Sequence, residues 1–132
     1  MPTFSKISRQ RLATCDIRLQ ALFNEVIKDY DCIIIEGHRT RAAHEANLRK
    51  DPPTTWTTYE KSKHSKIPSL AVDVMPWPLD WNDRARCIQF ARRVQYVAKR
   101  LGLRVRWGGD WDGDGDMKDQ TKHDLPHFEL VG

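Results

Sequence analysis

The segment Leu70 to Met75 constrains the fold most, because it alternates and is closed off by Pro76 and Pro78. Successive side chains of a strand point to opposite faces, so Leu70, Val72 and Val74 share one face while Ala71, Asp73 and Met75 share the other. One face can pack on a core, and Asp73 then looks into a cleft. The end of the chain repeats the pattern: in His127 to Val131, Phe128 and Leu130 share one face and His127 and Glu129 the other. Two half-buried strands, each with a polar residue opposite its apolar face, call for an antiparallel sheet with one covered side.

The remaining elements fit around such a sheet. Residues 16 to 29 place Ile17, Leu22, Phe23, Val26 and Ile27 at helical spacing, with Thr14 or Asp16 as N-cap. Cys32 to Glu36 is a β-branched run ending at Gly37, and Thr40 to Lys50 reads as a helix stopped by Pro52-Pro53. The polar stretch from Asp51 to Ser69 reads as a long surface loop. Asp80 or Asn82 can cap a helix whose stripe is Ile88, Ala91, Val94, Ala98 and Leu101, up to Gly102. Leu103 to Trp107 reads as a strand, and Gly108 to Asp124 as a glycine- and aspartate-rich loop. The order of helices and strands is irregular, so the expected class is α+β: a small antiparallel sheet flanked by helices, in one domain spanning residues 1–132.

Composition narrows the function classes. A hydrophobic share of 39% with no apolar run near the roughly 20 residues of a membrane span excludes a membrane-spanning helix. The first residues lack the apolar stretch of a secretory signal, so synthesis in the cytoplasm is expected. Cys15, Cys32 and Cys87 stand far apart and read as small apolar fillers. The net charge of +4 is concentrated in Arg84, Arg86, Arg92, Arg93, Lys99, Arg100, Arg104 and Arg106. That stretch is either a solvated helix face or a surface for an anionic partner such as an envelope polymer. A nucleic-acid-binding domain built on these arginines and five tryptophans is an alternative of a different class, but it leaves the His and Asp residues unexplained.

A hydrolytic zinc centre needs three ligands of the His and carboxylate type and one open position, and His64, Asp73 and His127 can supply them. Asp124, three residues before His127, can serve as general base. His38, His44 and His123 are also available, and spacing alone does not exclude another pair, although Pro126 argues against a helix carrying both His123 and His127. Arg39 follows a strand and a glycine and is placed to fork onto a carboxylate or carbonyl oxygen, but Arg41 could take that part. Asp110, Asp112, Asp114 and Asp116 alternate with glycines at two of the intervening positions, like the start of a calcium loop. A bidentate glutamate at the twelfth position is lacking, since Thr121 stands there.

Four ordered blocks give the chain a wider resemblance: Gly37-His38-Arg39-Thr40; Ser62-Lys63-His64 with Ala71-Val72-Asp73; Arg106 to Trp111; and Asp124 to Leu130. Over nearly its whole length the chain resembles the zinc peptidases that include D-alanyl-D-alanine dipeptidases and carboxypeptidases. The likeness is strongest to the single-domain phage endolysins that act as L-alanyl-D-glutamate peptidases. The resemblance implies the D-Ala-D-Ala peptidase and hedgehog-like fold. It implies zinc on His64, Asp73 and His127, Asp124 as base, and Arg39 and Ser62 toward substrate. It further implies peptidoglycan stem peptides as substrate and a monomer made in the host cytoplasm that reaches the periplasmic wall through a separate pore-former. A D-alanyl-D-alanine carboxypeptidase or dipeptidase would use the same metal site. One departure stands out: His64 and Asp73 are nine residues apart where the family has seven, and Ser69 replaces a glycine, which points to an insertion between Ser65 and Pro68.

Overall fold

The computed structural model describes residues 2–50, 58–111 and 124–131. Four strands form one antiparallel sheet: β1 Cys32–Glu36, β2 Ala71–Pro76, β3 Val105–Gly108 and β4 Asp124–Leu130, in the spatial order β1-β2-β4-β3. Helices α1 Lys6–Leu12, α2 Ile17–Val26, α3 Arg41–Arg49 and α4 Arg84–Arg100 accompany it, with a 3-10 turn at Lys63–Ser65. The expected α+β class and antiparallel sheet are both found.

The alternation read from the sequence decides what each face does. Val72, Val74, Ile34, Phe128 and Leu130 lie in the core with residues of α2 and α4. Phe128 is its centre, meeting Phe23 and Phe90 edge to face at 5.6 and 6.1 Å. The three cysteines are free and buried, as small apolar residues should be.

Several boundaries differ from the sequence reading. Ile17 is 73% exposed, because Asp16 is the N-cap and the inward positions of α2 are Leu19, Leu22, Phe23 and Val26. Helix α4 is capped by Asp83, whose carboxylate accepts from the Arg86 N–H, whereas Asp80 accepts from Asn82 in the turn before. Its buried stripe is Cys87, Phe90, Ala91, Val94, Val97 and Ala98; Ile88 is only half-buried and Leu101, past the helix end, is exposed. Strand β4 starts at Asp124, three residues earlier than its apolar alternation suggests.

Residues 6–12 carry no clean apolar stripe and yet form α1, with Ser5 as N-cap. Only Ser8 and Leu12, one turn apart, are buried along it. The helix lies against β1, which is an edge strand with unpaired backbone groups. Ser8 Oγ accepts from the Ile34 N–H at 3.1 Å and the Arg11 guanidinium donates to the Ile34 carbonyl at 3.0 Å. Polar residues thus complete the sheet edge, which is why hydrophobic periodicity does not reveal this helix.

Candidate metal centre

The polar residues of β1, β2 and β4 form a row across the sheet, with Glu36 opposite Asp73 and Asp73 opposite His127. Two backbone irregularities shape the site. In β1 the register shifts between Ile34 and Glu36, and the extra residue brings Glu36 onto the face of Asp73. Between β3 and β4 Trp107 pairs with Phe128 but Gly108 pairs with Asp124, so residues 125–127 bulge away from β3. The Trp107 indole N–H holds the bulge by donating to the Leu125 carbonyl at 2.8 Å. Gly108 is required there, since a Cβ at that position would fall on the Asp124 carbonyl.

The segment expected as a surface loop is partly an inner wall. Within its described part Ser62, His64 and Ser69 are buried. They can be because their polar groups are matched: Ser69 N–H donates to Thr14 O, its carbonyl accepts from Asp16 N–H, and its hydroxyl donates to Ala71 O. Ser62, implied by the resemblance as a substrate contact, N-caps the 3-10 turn and accepts from the His64 N–H at 3.3 Å. Its side chain is buried.

Three side chains then converge. His64 Nε2, Asp73 Oδ1 and His127 Nδ1 form a triangle whose three sides are each 3.3 Å. Among the described residues, His64, Asp73 and His127 form a group able to hold a metal ion. The outer nitrogens fix which ring atom faces inward. His64 Nδ1 lies 2.8 Å from the Gly37 carbonyl, which only accepts, so the proton is on Nδ1 and the Nε2 lone pair is free. His127 Nε2 lies 2.8 Å from Glu129 Oε1, leaving Nδ1 inward. Asp73 Oδ1 is buried without a hydrogen-bond donor. Three lone-pair atoms facing one another at this distance repel unless a cation or proton lies among them.

The titration behaviour follows. Burial disfavours the Asp73 carboxylate, but the two imidazoles outweigh it and hold its carboxyl well below the usual range. Burial lowers the His127 pKa, yet the Asp73 and Glu129 carboxylates beside its two ring nitrogens carry it up to about 10, so without a cation it is a proton that lies in the triangle, and a metal ion would displace it. Asp124 Oδ2 lies 3.9 Å from His127 Nδ1. Burial, then the negative charge of Asp73, pushes the Asp124 carboxyl up to about 6.

The structure separates the two arginines. Arg39 is 7% exposed, its Nε donates to Glu36 Oε1 at 2.6 Å, its guanidinium is 3.8 Å from Asp73 Oδ2, and its backbone N–H donates to the His64 carbonyl. Arg41 has an exposed side chain and pairs with Glu45 and Glu60. Arg39, Glu36, Asp73 and Asp124 line a cleft of about 330 Å³ together with Asn47 and Trp81. Sequence reasoning gave no part to Glu36 or Trp81.

Other candidates fall elsewhere. His44 is buried in α3 beside Tyr59, and His123 lies outside the described residues. Of the aspartates expected to bind calcium, Asp110 is buried and Asp112, Asp114 and Asp116 lie outside the described residues. The arginine-rich stretch is partly engaged within the fold: Arg93 pairs with Asp29, Arg92 lies over Trp107, and Arg93 and Arg100 flank Tyr96.

Residues 2–131 match the profile of the phage L-alanyl-D-glutamate peptidase family. The chain belongs to that family. It is 33% identical to the L-alanyl-D-glutamate peptidase of Escherichia phage T5, over 97% of each chain. The crystal structure of the Serratia marcescens L-Ala D-Glu endopeptidase ChiX has the same fold, with a TM-score of 0.74 at 24% identity over 98% of this chain and 90% of that one. Membership agrees with the geometry, because the residues brought together are those of the blocks that carry the resemblance. No helix among the described residues is long and apolar enough to cross a membrane.

Proposed function

We propose that this chain is a zinc-dependent endopeptidase that hydrolyses the L-alanyl-D-glutamate bond of peptidoglycan stem peptides. The observation that carries the reading is the triangle of His64 Nε2, Asp73 Oδ1 and His127 Nδ1 with Asp124 at its edge. Zinc bonds to nitrogen and oxygen are about 2.0 to 2.1 Å, so two ligand atoms of a tetrahedral site stand about 3.3 to 3.4 Å apart. The 3.3 Å sides match that spacing, and three protein ligands are the number a hydrolytic site uses.

When bound, zinc supplies Lewis acidity and lowers the pKa of a coordinated water toward neutrality. The protein's own groups do the rest. Asp124 takes a proton from the attacking water and passes it to the departing amine of the D-glutamyl residue, as the new carbon–oxygen bond forms and the carbon–nitrogen bond breaks. A carboxyl raised to about 6 is ionised at pH 7 and lost as a base when pH falls through that value. A cation in the triangle would move that limit lower, so the base is available at neutral pH. Arg39, oriented by Glu36, faces the cleft and stabilises the negative charge that develops on the scissile carbonyl oxygen.

Digestion of purified peptidoglycan, with new amino termini identified by mass spectrometry, tests the reading. N-terminal D-glutamate is expected, and release of terminal D-alanine alone would replace the endopeptidase by a carboxypeptidase. The wall of the phage host is the natural substrate. The aspartate loop from Asp110 to Asp116 is a proposed calcium site, motivated by four carboxylates at alternate positions. Calorimetry of calcium added to the metal-free protein tests it, and no heat of binding would end it.

A further inference from the structure

The two histidines of the triangle stand on unequal supports. His127 belongs to a strand paired on both sides, whereas His64 sits on a three-residue 3-10 turn that leads into a lengthened loop. Ile67 on that loop is 86% exposed. A ligand beside such a loop should wander, yet His64 Nε2 is as close to Asp73 and His127 as they are to each other.

The residue before His64 explains the precision. The Lys63 carbonyl accepts from the Leu70 N–H at 3.0 Å and closes the loop at its neck, and the Leu70 carbonyl accepts from the Leu130 N–H at 2.9 Å. An insertion between Ser65 and Pro68 therefore swells outward without moving the turn. The Lys63 ammonium donates to the Leu130 carbonyl and lies 3.3 Å from Glu129 Oε2. Glu129 is buried, and its other oxygen is the one that meets His127 Nε2 at 2.8 Å. Arg106, at 3.7 Å, is a more distant cation on the same carboxylate.

We propose that Lys63 and Glu129 are positioning residues that act as one clamp on the metal centre. Glu129 accepts the His127 Nε2–H and turns the Nδ1 lone pair inward, while Lys63 ties the turn bearing His64 to the same carboxylate. The inference rests on reading the triangle as a metal site. Partners of this kind orient metal-bound histidines, and their loss weakens metal binding about 10- to 100-fold. A merely structural ion pair would instead change the stability of the metal-free protein and leave its affinity for metal alone.

The test measures zinc affinity by competition with a chromogenic chelator, and thermal unfolding of the metal-free protein, for wild type, Glu129→Gln, Lys63→Met and the double variant. Each single change is expected to weaken zinc binding about 10- to 100-fold. The double variant should be little weaker than the worse single one, because residues in one network are not independent. Lys63→Arg should recover most of the affinity. Single variants that bind zinc within about twofold of wild type, or losses that multiply in the double variant, would overturn the clamp. Wild type that takes up no zinc would instead defeat the metal reading itself. Lys63 is partly exposed, so its variants decide the matter where Glu129→Gln fails to fold.

Discussion

The two faces of the sheet are built from alternate residues of the same strands, yet they are held by different physics. On one face Val72, Val74 and Phe128 are wholly enclosed by apolar neighbours from α2 and α4, and only volume and shape matter there. On the other, His127 and Glu129 are buried and Asp73 is half-buried, and their polar contacts are directional. Burying these groups is costly unless each is partnered. The partners found are Gly37 O for His64, Glu129 for His127 and Glu36 for Arg39, while the triangle keeps its lone pairs pointed inward. The apolar face secures the fold, and the polar face depends on it for its geometry.

The sharpest way to break this division is to remove a polar residue whose strand neighbour stays in the core. His127→Ala should abolish metal uptake and reduce peptidoglycan cleavage by more than about a thousandfold, since both Lewis acidity and the positioned water go with the ion. The fold should persist, because Phe128 beside it is untouched. Asp124→Ala should retain the metal and still lose about 10²- to 10⁴-fold in kcat. Elemental analysis with a turnover assay separates the two, and loss of metal from the Asp124 variant would place that residue among the ligands.

The converse change, Phe128→Ala, removes a ring that touches both Phe23 and Phe90. It should cost about 3 to 5 kcal/mol in urea unfolding. Where the variant still folds, its zinc affinity should stay close to wild type. A large loss of affinity with little loss of stability would show that the faces are not separable. Gly108→Ala tests the coupling between them. The added methyl meets the Asp124 carbonyl, so β4 must shift and the base with it. Misplacement by about 1 Å can cost on the order of a hundredfold in rate. The variant should bind zinc normally and show that loss in kcat.

Alternation made the site legible before the fold was known. Asp73 and His127 are polar residues inside runs that are otherwise apolar every second position, and such residues are conspicuous in a sequence. Glu129 shares the His127 face by the same rule, and that i, i+2 relation was the available sign of its part in the site. The shifts at Ile35 and at residues 125–127 were not legible, because register depends on which strand pairs with which. Glu36 and the approach of Asp124 depend on those shifts. Gly108 was the one local sign of the second, as a glycine within a strand often marks close backbone approach. Ile17 and Leu101 keep the helical period but stand at helix ends, as the first residue of α2 and the C-cap of α4, and both are exposed.

The smallest expected effect concerns the rim of the sheet, where neither face's rule applies. Ser8 is buried against β1 although it faces the core side of α1, and its hydroxyl is the acceptor for the Ile34 N–H. Ser8→Ala removes that acceptor without creating a large void, leaving one buried donor unmatched. Such a group costs about 1 to 3 kcal/mol. Because β1 is also the strand that carries Glu36, the local opening should be felt at Arg39 before it is felt in the core. Amide hydrogen exchange should quicken at Ile34 and its neighbours in β1, while Phe128 and its neighbours in β4 remain protected. Uniform loss of protection across the sheet would mean that the edge and the core unfold together and that α1 contributes to the whole sheet rather than to its rim.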